Sequence, residues 1–222
     1  MAMSELVYLG NKYKSDKQIA HEYMIIYEKY FDSIKNDSLK ILEMGVKKGQ
    51  SLKIWKEYFK NSTIYGFDFG WPEIGITKYI DQFSNDPKIK IFIGNQEKRE
   101  DLKKFINKYN ESFDIIIDDS GHSMIGQQQS LGFLFKYLNT GGLYIIEDLG
   151  TSLGNKSSYK INSERSNTTL EVLEKFKKNN RVVSSYMLKS EIEYLNENLI
   201  FGELTYAKRS GIICFLRKKI DE

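Results

Sequence analysis

The sequence predicts a doubly wound α/β fold, in which a mostly parallel sheet is covered by helices on both faces. Short runs rich in β-branched and aromatic residues alternate with amphipathic runs of helical spacing. The run Phe113–Asp118 is apolar almost throughout, which is typical of a central parallel strand buried on both faces. A length of 222 residues is enough for one domain with a sizeable core.

The predicted elements follow one another in the order expected of βαβ units. The predicted strands cover residues 39–44, 63–69, 88–93, 113–118 and 143–146, and the predicted helices cover 21–34, 51–59, 97–109 and 124–138. The tetrapeptide 139–142, Asn-Thr-Gly-Gly, is expected to end the last of these helices because glycine disfavours helical backbone.

The C-terminal part has a different pattern. Two β-like runs, 198–207 and 211–218, flank the turn Lys208-Arg209-Ser210-Gly211 and predict an antiparallel hairpin, which completes a seven-stranded, Rossmann-like sheet. The polar stretch 151–167 has no periodicity, which is typical of a lid or binding loop. We therefore expect a single domain over 1–222 with three parts: a helical segment (1–36), a core (37–150), and a lid, helix and hairpin (151–222).

Composition narrows the class of protein. The net charge of +3 comes from 33 basic and 30 acidic residues spread along the chain, unlike the concentrated basic face of a nucleic-acid-binding protein. No run approaches the ~20 apolar residues of a membrane span. The one cysteine, Cys214, lies in an apolar run, so no disulfide forms within one chain and a cytoplasmic setting is expected. A homo-oligomer is left open.

A glycine-containing turn follows the first predicted strand. Glu43 precedes Gly45, and Gly49 follows in a G-x-x-x-G spacing that lets the backbone approach a ligand closely. This spacing differs from the G-x-G-x-x-G of dinucleotide enzymes. The second strand ends in Asp68, which is placed to accept hydrogen bonds from ribose hydroxyls. Taken alone, a plain strand–helix turn and a solvated carboxylate explain these residues equally well.

The third strand is followed by Gly94-Asn95-Gln96. In an open α/β sheet this position faces the base of a nucleoside ligand, and Asn95 is suited to hydrogen-bond an adenine edge. A turn followed by a helix cap is an equally good interpretation.

Acidic side chains follow the fourth and fifth strands. Asp118 and Asp119 end one strand, Glu147 and Asp148 end the next, and neighbouring parallel strands place these ends side by side. Such a cluster repels itself unless a cation neutralises it, and carboxylates suit a hard ion such as Mg²⁺. Because side chains alternate along a strand, only one of Asp118 and Asp119 is expected to be a ligand. The alternative is that Asp119 or Ser120 caps the following helix.

Histidine is scarce in this chain. The two histidines are His21 and His122, and His122 comes three residues after Asp119. An imidazole beside a metal could take a proton from a hydroxyl near neutral pH, so His122 is predicted to be a general base, with a plain loop histidine as the alternative. His21 is expected to pack or to contact ligands.

The motifs together resemble a known family. The chain is similar to class I S-adenosylmethionine-dependent methyltransferases, and more narrowly to the group of macrolide-sugar O-methyltransferases and so-called cephalosporin hydroxylases. The resemblance covers residues 14–152 and is carried by Lys14-Ser15-Asp16-Lys17 with His21, Tyr23 and Tyr27, and by the stretches LEMGVKKGQSLKIW, IIIDDSGHS and GGLYIIEDLGTS. The family more often has D-D-G-S-H where this chain has DDSGH, and Asp where this chain has Asn95.

This resemblance implies a function and a set of site residues. It implies S-adenosylmethionine bound by Lys14, Ser15, Glu43, Gly45, Gly49, Ser51, Asp68, Asn95, Gln96 and Asp118; a divalent metal, Mg²⁺, bound by Asp119, Glu147 and Asp148; and His122 as the base. The acceptor would be a hydroxyl of a small sugar-like molecule, with no nucleic acid or membrane involved. The alternatives are an NAD-dependent oxidoreductase, which the missing G-x-G-x-x-G disfavours, a metal-assisted hydroxylase, and a catalytically silent binding module.

The first prediction concerns the nucleoside ligand. S-adenosylhomocysteine is expected to bind and raise the melting temperature, whereas NAD is not. Asp68→Ala should lose about 1–3 kcal/mol of binding because a charged hydrogen-bond acceptor is removed. Unchanged affinity of this variant in calorimetry would contradict the assignment of Asp68.

Overall fold

The computed structural model describes residues 3–72, 75–153 and 167–220. Its centre is a seven-stranded sheet with the strand order β3-β2-β1-β4-β5-β7-β6. The strands are β1 (Lys40–Met44), β2 (Thr63–Asp68), β3 (Ile89–Ile93), β4 (Phe113–Asp118), β5 (Leu138–Ile146), β6 (Leu199–Tyr206) and β7 (Ile212–Lys218). Strands β1 to β5 are parallel, and β7 pairs antiparallel with both β5 and β6. The predicted fold class and the antiparallel C-terminal hairpin are confirmed.

Helices cover both faces of this sheet. They are α1 (Glu5–Lys12), α2 (Asp16–Ile19), α3 (Tyr23–Phe31), α4 (Gln50–Tyr58), α5 (Arg99–Tyr109), α6 (Met124–Leu134), α7 (Thr169–Asn179) and α8 (Lys189–Asn198). One apolar cluster joins the sheet to α1, α3 and α4, and a second joins it to α5 through α8. Within the described ranges, no helix is both long and apolar enough to cross a membrane.

Several boundaries differ from the sequence prediction. The tetrapeptide 139–142 lies inside β5 instead of separating a helix from a strand, so this prediction was wrong. A β-bulge lets Leu138 pair with Phe113 before the regular register begins at Leu143, and Gly141 takes a positive φ of 75° there. Helix α6 ends at Leu134, and a 3₁₀ turn covers Phe135–Tyr137. Two helices, α7 and α8, stand where one was expected between the lid and the hairpin.

The predicted lid lies mostly outside the described residues, since 154–166 are not among them. Its first residues belong to a 3₁₀ helix, Leu149–Leu153. Helix α7 then starts with a capping box, in which Thr168 accepts from the backbone of Glu171 and the Glu171 side chain accepts from Thr168.

The parallel ladders continue one residue beyond the strands that form the middle of the sheet. The amide of Gly45 donates to Phe67, that of Asp119 donates to Met44, and that of Glu147 donates to Asp118, at 2.8–2.9 Å. Backbone hydrogen bonds therefore fix the first residues after β1, β4 and β5 at one edge of the sheet. This edge includes the point between β1 and β4 where the strand order reverses, which is where ligands bind in open α/β sheets.

Gly45 is required at this edge by two independent constraints. Its φ is +87°, and a Cβ there would lie 2.2 Å from the carbonyl oxygen of Asp119. Gly141 shares the first constraint, with a φ of +75°, but a Cβ there would meet nothing closer than 3.6 Å.

These two glycines provide a matched test of the close contact. Gly141→Ala should lower the free energy of unfolding by about 1–2 kcal/mol, the cost of left-handed backbone in a residue with a Cβ. Gly45→Ala should lose about 1–3 kcal/mol more, because the methyl group also overlaps the backbone after β4. Urea unfolding measures both losses, and equal losses would contradict the importance of the contact.

Candidate active site

A cavity of about 740 Å³ opens at the carboxyl ends of the parallel strands. One wall is formed by residues after β1, β2 and β3, and the other by residues after β4 and β5 together with α2 and His21. The predicted residues that line it are Ser15, Gly45, Ser51, Asp68, Asn95, Gln96, Asp119, His122, Glu147 and Asp148. Both groups of predicted residues, from the turn after β1 and from the acidic cluster, thus face one space.

Asp68 is a buried part of the first wall, and only 6% of it is exposed. Its Oδ2 accepts hydrogen bonds from the amides of Val46 and Lys47, both at 2.8 Å, and its Oδ1 accepts from the amide of Gly70 at 2.7 Å. The carboxylate therefore ties the turn after β1 to the end of β2. The interpretation of Asp68 as a solvated loop carboxylate was wrong.

The two polar residues after β3 differ in what they can offer a ligand. The Asn95 side chain accepts from the amide of Glu97 at 2.9 Å, which is the turn-and-cap arrangement. The main-chain carbonyl of Gln96 accepts from Gln129 at 2.9 Å. The Gln96 Nε2 is buried and has no hydrogen-bond partner among the described residues. Gln96 is therefore the better candidate to donate to a base, since a buried unpaired amide is costly without a ligand.

Four residues predicted to bind the cofactor do not line the cavity: Lys14, Glu43, Gly49 and Asp118. Glu43 is fully buried, and its Oε2 accepts from Ser51 Oγ at 2.6 Å. Asp118 is also fully buried and points to the opposite side of the sheet from Asp119, as strand alternation requires. Lys14 is exposed, and its carbonyl accepts from Gln50. None of these four residues therefore presents a side chain to the cavity.

The acidic cluster contains a cation that comes from the chain itself. The Lys17 ammonium is buried and contacts the carboxylates of Asp119, of Glu147 (Oε1 at 2.6 Å) and of Glu43 (Oε1 at 3.3 Å). The sequence alone gives Lys17 no separate role, because a single lysine near the start of a helix is ordinarily exposed to solvent. The one signal that included it was the family-like stretch Lys14-Ser15-Asp16-Lys17.

Burial and attraction oppose each other in this cluster. Burial disfavours the charged ammonium, yet the nearby carboxylates raise the pKa of Lys17 well above its usual range. Burial also raises the pKa of Glu147 well above its usual range, even though Lys17 acts against this shift. The cluster is therefore partly neutralised without a metal, so repulsion between the carboxylates does not by itself require a metal ion.

The structure brings together a group of potential metal donors that shares Asp119 and Asp148 with the predicted set. Asp119, His122 and Asp148 each offer an atom within 4.8 Å of the others. Glu147 is not in this group; it lines the same cavity but is 1% exposed, and its Oε1 accepts a hydrogen bond from the Tyr27 hydroxyl. The Nε2 of His122 lies 3.5 Å from Asp148 Oδ2, and its Nδ1 is buried with no partner in the described part of the chain.

Backbone conformation at the second wall is unusual. His122 and Asp148 both have positive φ, 51° and 54°, although neither is glycine. Such conformations cost roughly 1–3 kcal/mol and persist where surrounding contacts fix them, most often at functional sites. The Tyr23 hydroxyl donates to Asp148 Oδ1 at 2.9 Å, and Thr151 donates to the carbonyls of His122 and Asp148.

The helix-capping alternative for the acidic residues was wrong. The cap of α6 is Ser123, whose Oγ accepts from the amide of Gly126 at 3.0 Å. Asp119 instead faces the cavity, with Lys17 on one side and His122 on the other.

Comparison with solved structures identifies the fold. The chain superposes on the MycE methyltransferase of the mycinamycin biosynthetic pathway, solved with Mg and SAH, with a TM-score of 0.75 over 99% of this chain and 56% of that one, at 24% identity. It also matches a fibrillarin from Methanococcus jannaschii, with a TM-score of 0.55 over 84% and 69% of the two chains, at 15% identity. This protein has the class I methyltransferase fold.

Sequence comparison adds curated relatives, which this chain matches over only part of their length. A mycinamicin VI 2''-O-methyltransferase from Micromonospora griseorubida is 31% identical over 67% of this chain and 37% of its own length. A rhamnosyl-tetracenomycin-C 3'-O-methyltransferase from Streptomyces olivaceus is 30% identical over 65% and 36%. No protein-family profile matches the chain. The chain thus matches little more than a third of the length of these curated relatives.

Removal of the Lys17 charge should destabilise the folded protein. Lys17→Met leaves buried carboxylates without their cation, so a loss of about 3–5 kcal/mol is expected. The matched control is Lys12→Met, which breaks the exposed ion pair with Glu57 and should cost about 1 kcal/mol or less. Chemical denaturation measures both, and similar small losses would contradict the role given to Lys17.

Asp118 gives a pH-dependent prediction. Burial raises its pKa to about 7, so the folded protein keeps this proton at a pH where the unfolded chain has lost it. Stability from this group is therefore lost as pH rises from about 4 to about 7, at ~1.4 kcal/mol per pH unit. Asp118→Asn cannot titrate at this position. The melting temperature of this variant, relative to that of the native protein, should therefore rise as the pH increases from about 5 to about 8. A constant difference across that range would contradict the assignment.

Proposed function

We propose that this protein transfers a methyl group from S-adenosylmethionine to a hydroxyl of a sugar or sugar-bearing metabolite, with a divalent ion bound beside the acceptor. The observation that carries the proposal is that Asp119, His122 and Asp148 share one cavity with the wall formed by Gly45, Asp68 and Gln96. One cavity thus contains a set of groups suited to a nucleoside and a separate set suited to an ion and a proton.

The first wall fits the methyl donor. The turn at Gly45 is free of side-chain bulk, and the Asp68 carboxylate is held rigidly by three backbone amides, with about one acceptor site left, on Oδ1, for a ribose hydroxyl. The unpaired Gln96 Nε2 would gain a partner from a ring nitrogen of the base. In support, the fold is shared with a methyltransferase solved with SAH.

The second wall fits a magnesium ion bound by two carboxylates. Mg²⁺ prefers oxygen ligands and commonly uses one or two carboxylates together with water and substrate oxygens. Asp119 and Asp148 supply such oxygens at the cavity surface, although Asp119 Oδ2 also accepts from Lys17, whereas Oε1 of the more deeply buried Glu147 accepts from both Lys17 and Tyr27. An imidazole is a poorer ligand for Mg²⁺, so His122 stays available for a proton. Of the predicted trio Asp119, Glu147 and Asp148, we therefore propose Asp119 and Asp148 as the ligands that face the ion.

Each of these residues then has a defined task. When bound, the methyl donor supplies an electrophilic methyl group and the ion increases the acidity of the acceptor hydroxyl. His122 receives the hydroxyl proton, and Asp148, which lies 3.5 Å from its Nε2, stabilises the imidazolium that results. Tyr23 holds Asp148 in place through its hydroxyl. The overall charge of the site is conserved, because the positive charge of the donor is replaced by the proton on His122.

The acceptor class rests on the relatives. The two curated relatives described above are named for 2''-O-methylation of mycinamicin VI and for 3'-O-methylation of a rhamnosyl tetracenomycin C. The cavity is large enough for a nucleoside and a sugar together, since its volume of about 740 Å³ lies well within the usual range for ligand sites.

The experiment that tests the proposed function is methyl transfer from labelled S-adenosylmethionine to a panel of glycosides, with and without a chelator. Activity should be lost in excess chelator and return with Mg²⁺ or Mn²⁺. Full activity without any bound metal would contradict the metal-assisted reaction, and failure to bind S-adenosylhomocysteine would contradict the methyltransferase function itself.

His122 provides the test of proton transfer. His122→Ala should keep its affinity for S-adenosylhomocysteine and lower turnover by roughly 10²–10⁴-fold, the usual contribution of a general base. A matched control is Asn95→Ala, which also lines the cavity but has no proton to transfer. Turnover of His122→Ala at the native rate would mean that His122 is only a loop residue.

A further inference from the structure

Helix α6 carries a polar run where a buried helix is ordinarily apolar. Residues 127–130, Gln-Gln-Gln-Ser, lie in the middle of a helix of which every residue except Ile125 is buried. Gln127 and Gln128 are fully buried, and Gln129 is 8% exposed. An amide in such a place costs free energy unless it is hydrogen-bonded. The proposed reaction gives none of the three glutamines a task.

Two of these glutamines bond to the segments that form the two walls of the cavity. Gln127 Nε2 donates to the carbonyl of Glu147 at 3.0 Å, and Gln129 Nε2 donates to the carbonyl of Gln96 at 2.9 Å. Successive residues of an α-helix are turned by about 100°, so Gln127 and Gln129 point in nearly opposite directions. Helix α6 therefore lies between the residue after β5 and the loop after β3 and is bonded to both.

The bond from Gln127 holds the peptide group that leads to a proposed ion ligand. The carbonyl of Glu147 and the amide of Asp148 belong to the same peptide group, so this bond restricts rotation about the φ bond of Asp148. That φ is +54°, a conformation that persists in a residue with a Cβ only where contacts fix it. Tyr23 thus holds the side chain of Asp148, and Gln127 holds its backbone.

The bond from Gln129 holds the residue proposed to contact the base. Helix α6 also encloses the side chain of Gln96, since Ser130 Oγ donates to its Oε1 at 3.4 Å and a Cβ on Gly126 would overlap its Nε2. Because the Oε1 accepts from Ser130, the Nε2 is the end of the amide that is left to donate. The same helix therefore fixes both the backbone of Gln96 and the orientation of its amide.

Gln128 has the same chemistry but reaches a different place. Its Nε2 donates to the carbonyl of Asn167 at 2.9 Å, and its Oε1 accepts from Ser184 Oγ at 2.6 Å. Neither Asn167 nor Ser184 lines the cavity. Gln128 therefore supports the packing around α6 without contacting either wall.

We propose that α6 aligns the two halves of the active site, with Gln127 as a positioning residue for Asp148 and Gln129 as a positioning residue for Gln96. Neither glutamine lines the cavity, and each acts through a main-chain carbonyl. His122 directly precedes Ser123, the cap of the same helix, so the residue that receives the proton is attached to the same element. The inference rests on the proposed function and assigns the spacing between nucleoside and ion to one helix.

The test replaces each glutamine with methionine, which has nearly the same length and no amide. Calorimetry measures the affinity for S-adenosylhomocysteine at saturating Mn²⁺, and electron paramagnetic resonance measures the affinity for Mn²⁺ at saturating S-adenosylhomocysteine. Gln127→Met should weaken Mn²⁺ binding roughly 10-fold, as expected of a group that orients a metal ligand, and leave the other affinity unchanged. Gln129→Met should weaken S-adenosylhomocysteine binding about 3–10-fold, the effect of one hydrogen bond, and leave Mn²⁺ binding unchanged.

Gln128→Met is the matched control, and it should lose similar stability but change neither affinity. Equal changes of both affinities in all three variants, or unchanged affinities in Gln127→Met and Gln129→Met, would overturn the inference. If a methionine variant does not fold, the asparagine variant at that position, which keeps the amide but shortens its reach, takes its place in the same comparison. Failure of the native protein to bind S-adenosylhomocysteine would instead contradict the proposed function.

Discussion

The geometry of the site depends on one buried ammonium group. Lys17 brings together carboxylates from the ends of three different strands: Glu43 in the last part of β1, Asp119 after β4 and Glu147 after β5. Without a cation these groups would repel one another or take up protons in a region that excludes water. Because Lys17 belongs to α2, the same contact attaches the N-terminal helices to the edge of the sheet where the cavity opens.

This arrangement gives the acidic residues different tasks although they are close together. Glu147 and Glu43 are buried and hold Lys17, whereas Asp119 and Asp148 are partly exposed and face the cavity. The C-terminal hairpin completes the second wall, since its turn packs against His21. The same turn also packs closely against the segment after β5, because a Cβ on Gly150 would lie 2.1 Å from the carbonyl oxygen of Ser210. The N-terminal helices and the C-terminal hairpin therefore both pack against the residues that follow the central strands.

The sequence predicted the parallel core and most of the cavity residues, because strand periodicity and the residues that follow each strand are local signals. It did not reveal that β7 lies between β5 and β6, or that 139–142 continue β5, since both depend on pairing between distant segments. Lys17 was missed for the same reason: its burial is set by carboxylates 26, 102 and 130 residues away. The capping box at Thr168 was a local signal for α7 that could have been recognised.

The most direct measurement of the central claim is a crystal structure with Mn²⁺ and S-adenosylhomocysteine, with the ion located by its anomalous scattering. The account predicts one peak at coordination distance from carboxylate oxygens of Asp119 and Asp148, with Lys17 still bonded to Glu147 and the nucleoside beside Asp68 and Gln96. A peak bound to Glu147 with Lys17 displaced, or a nucleoside bound with no ion in the cavity, would contradict it.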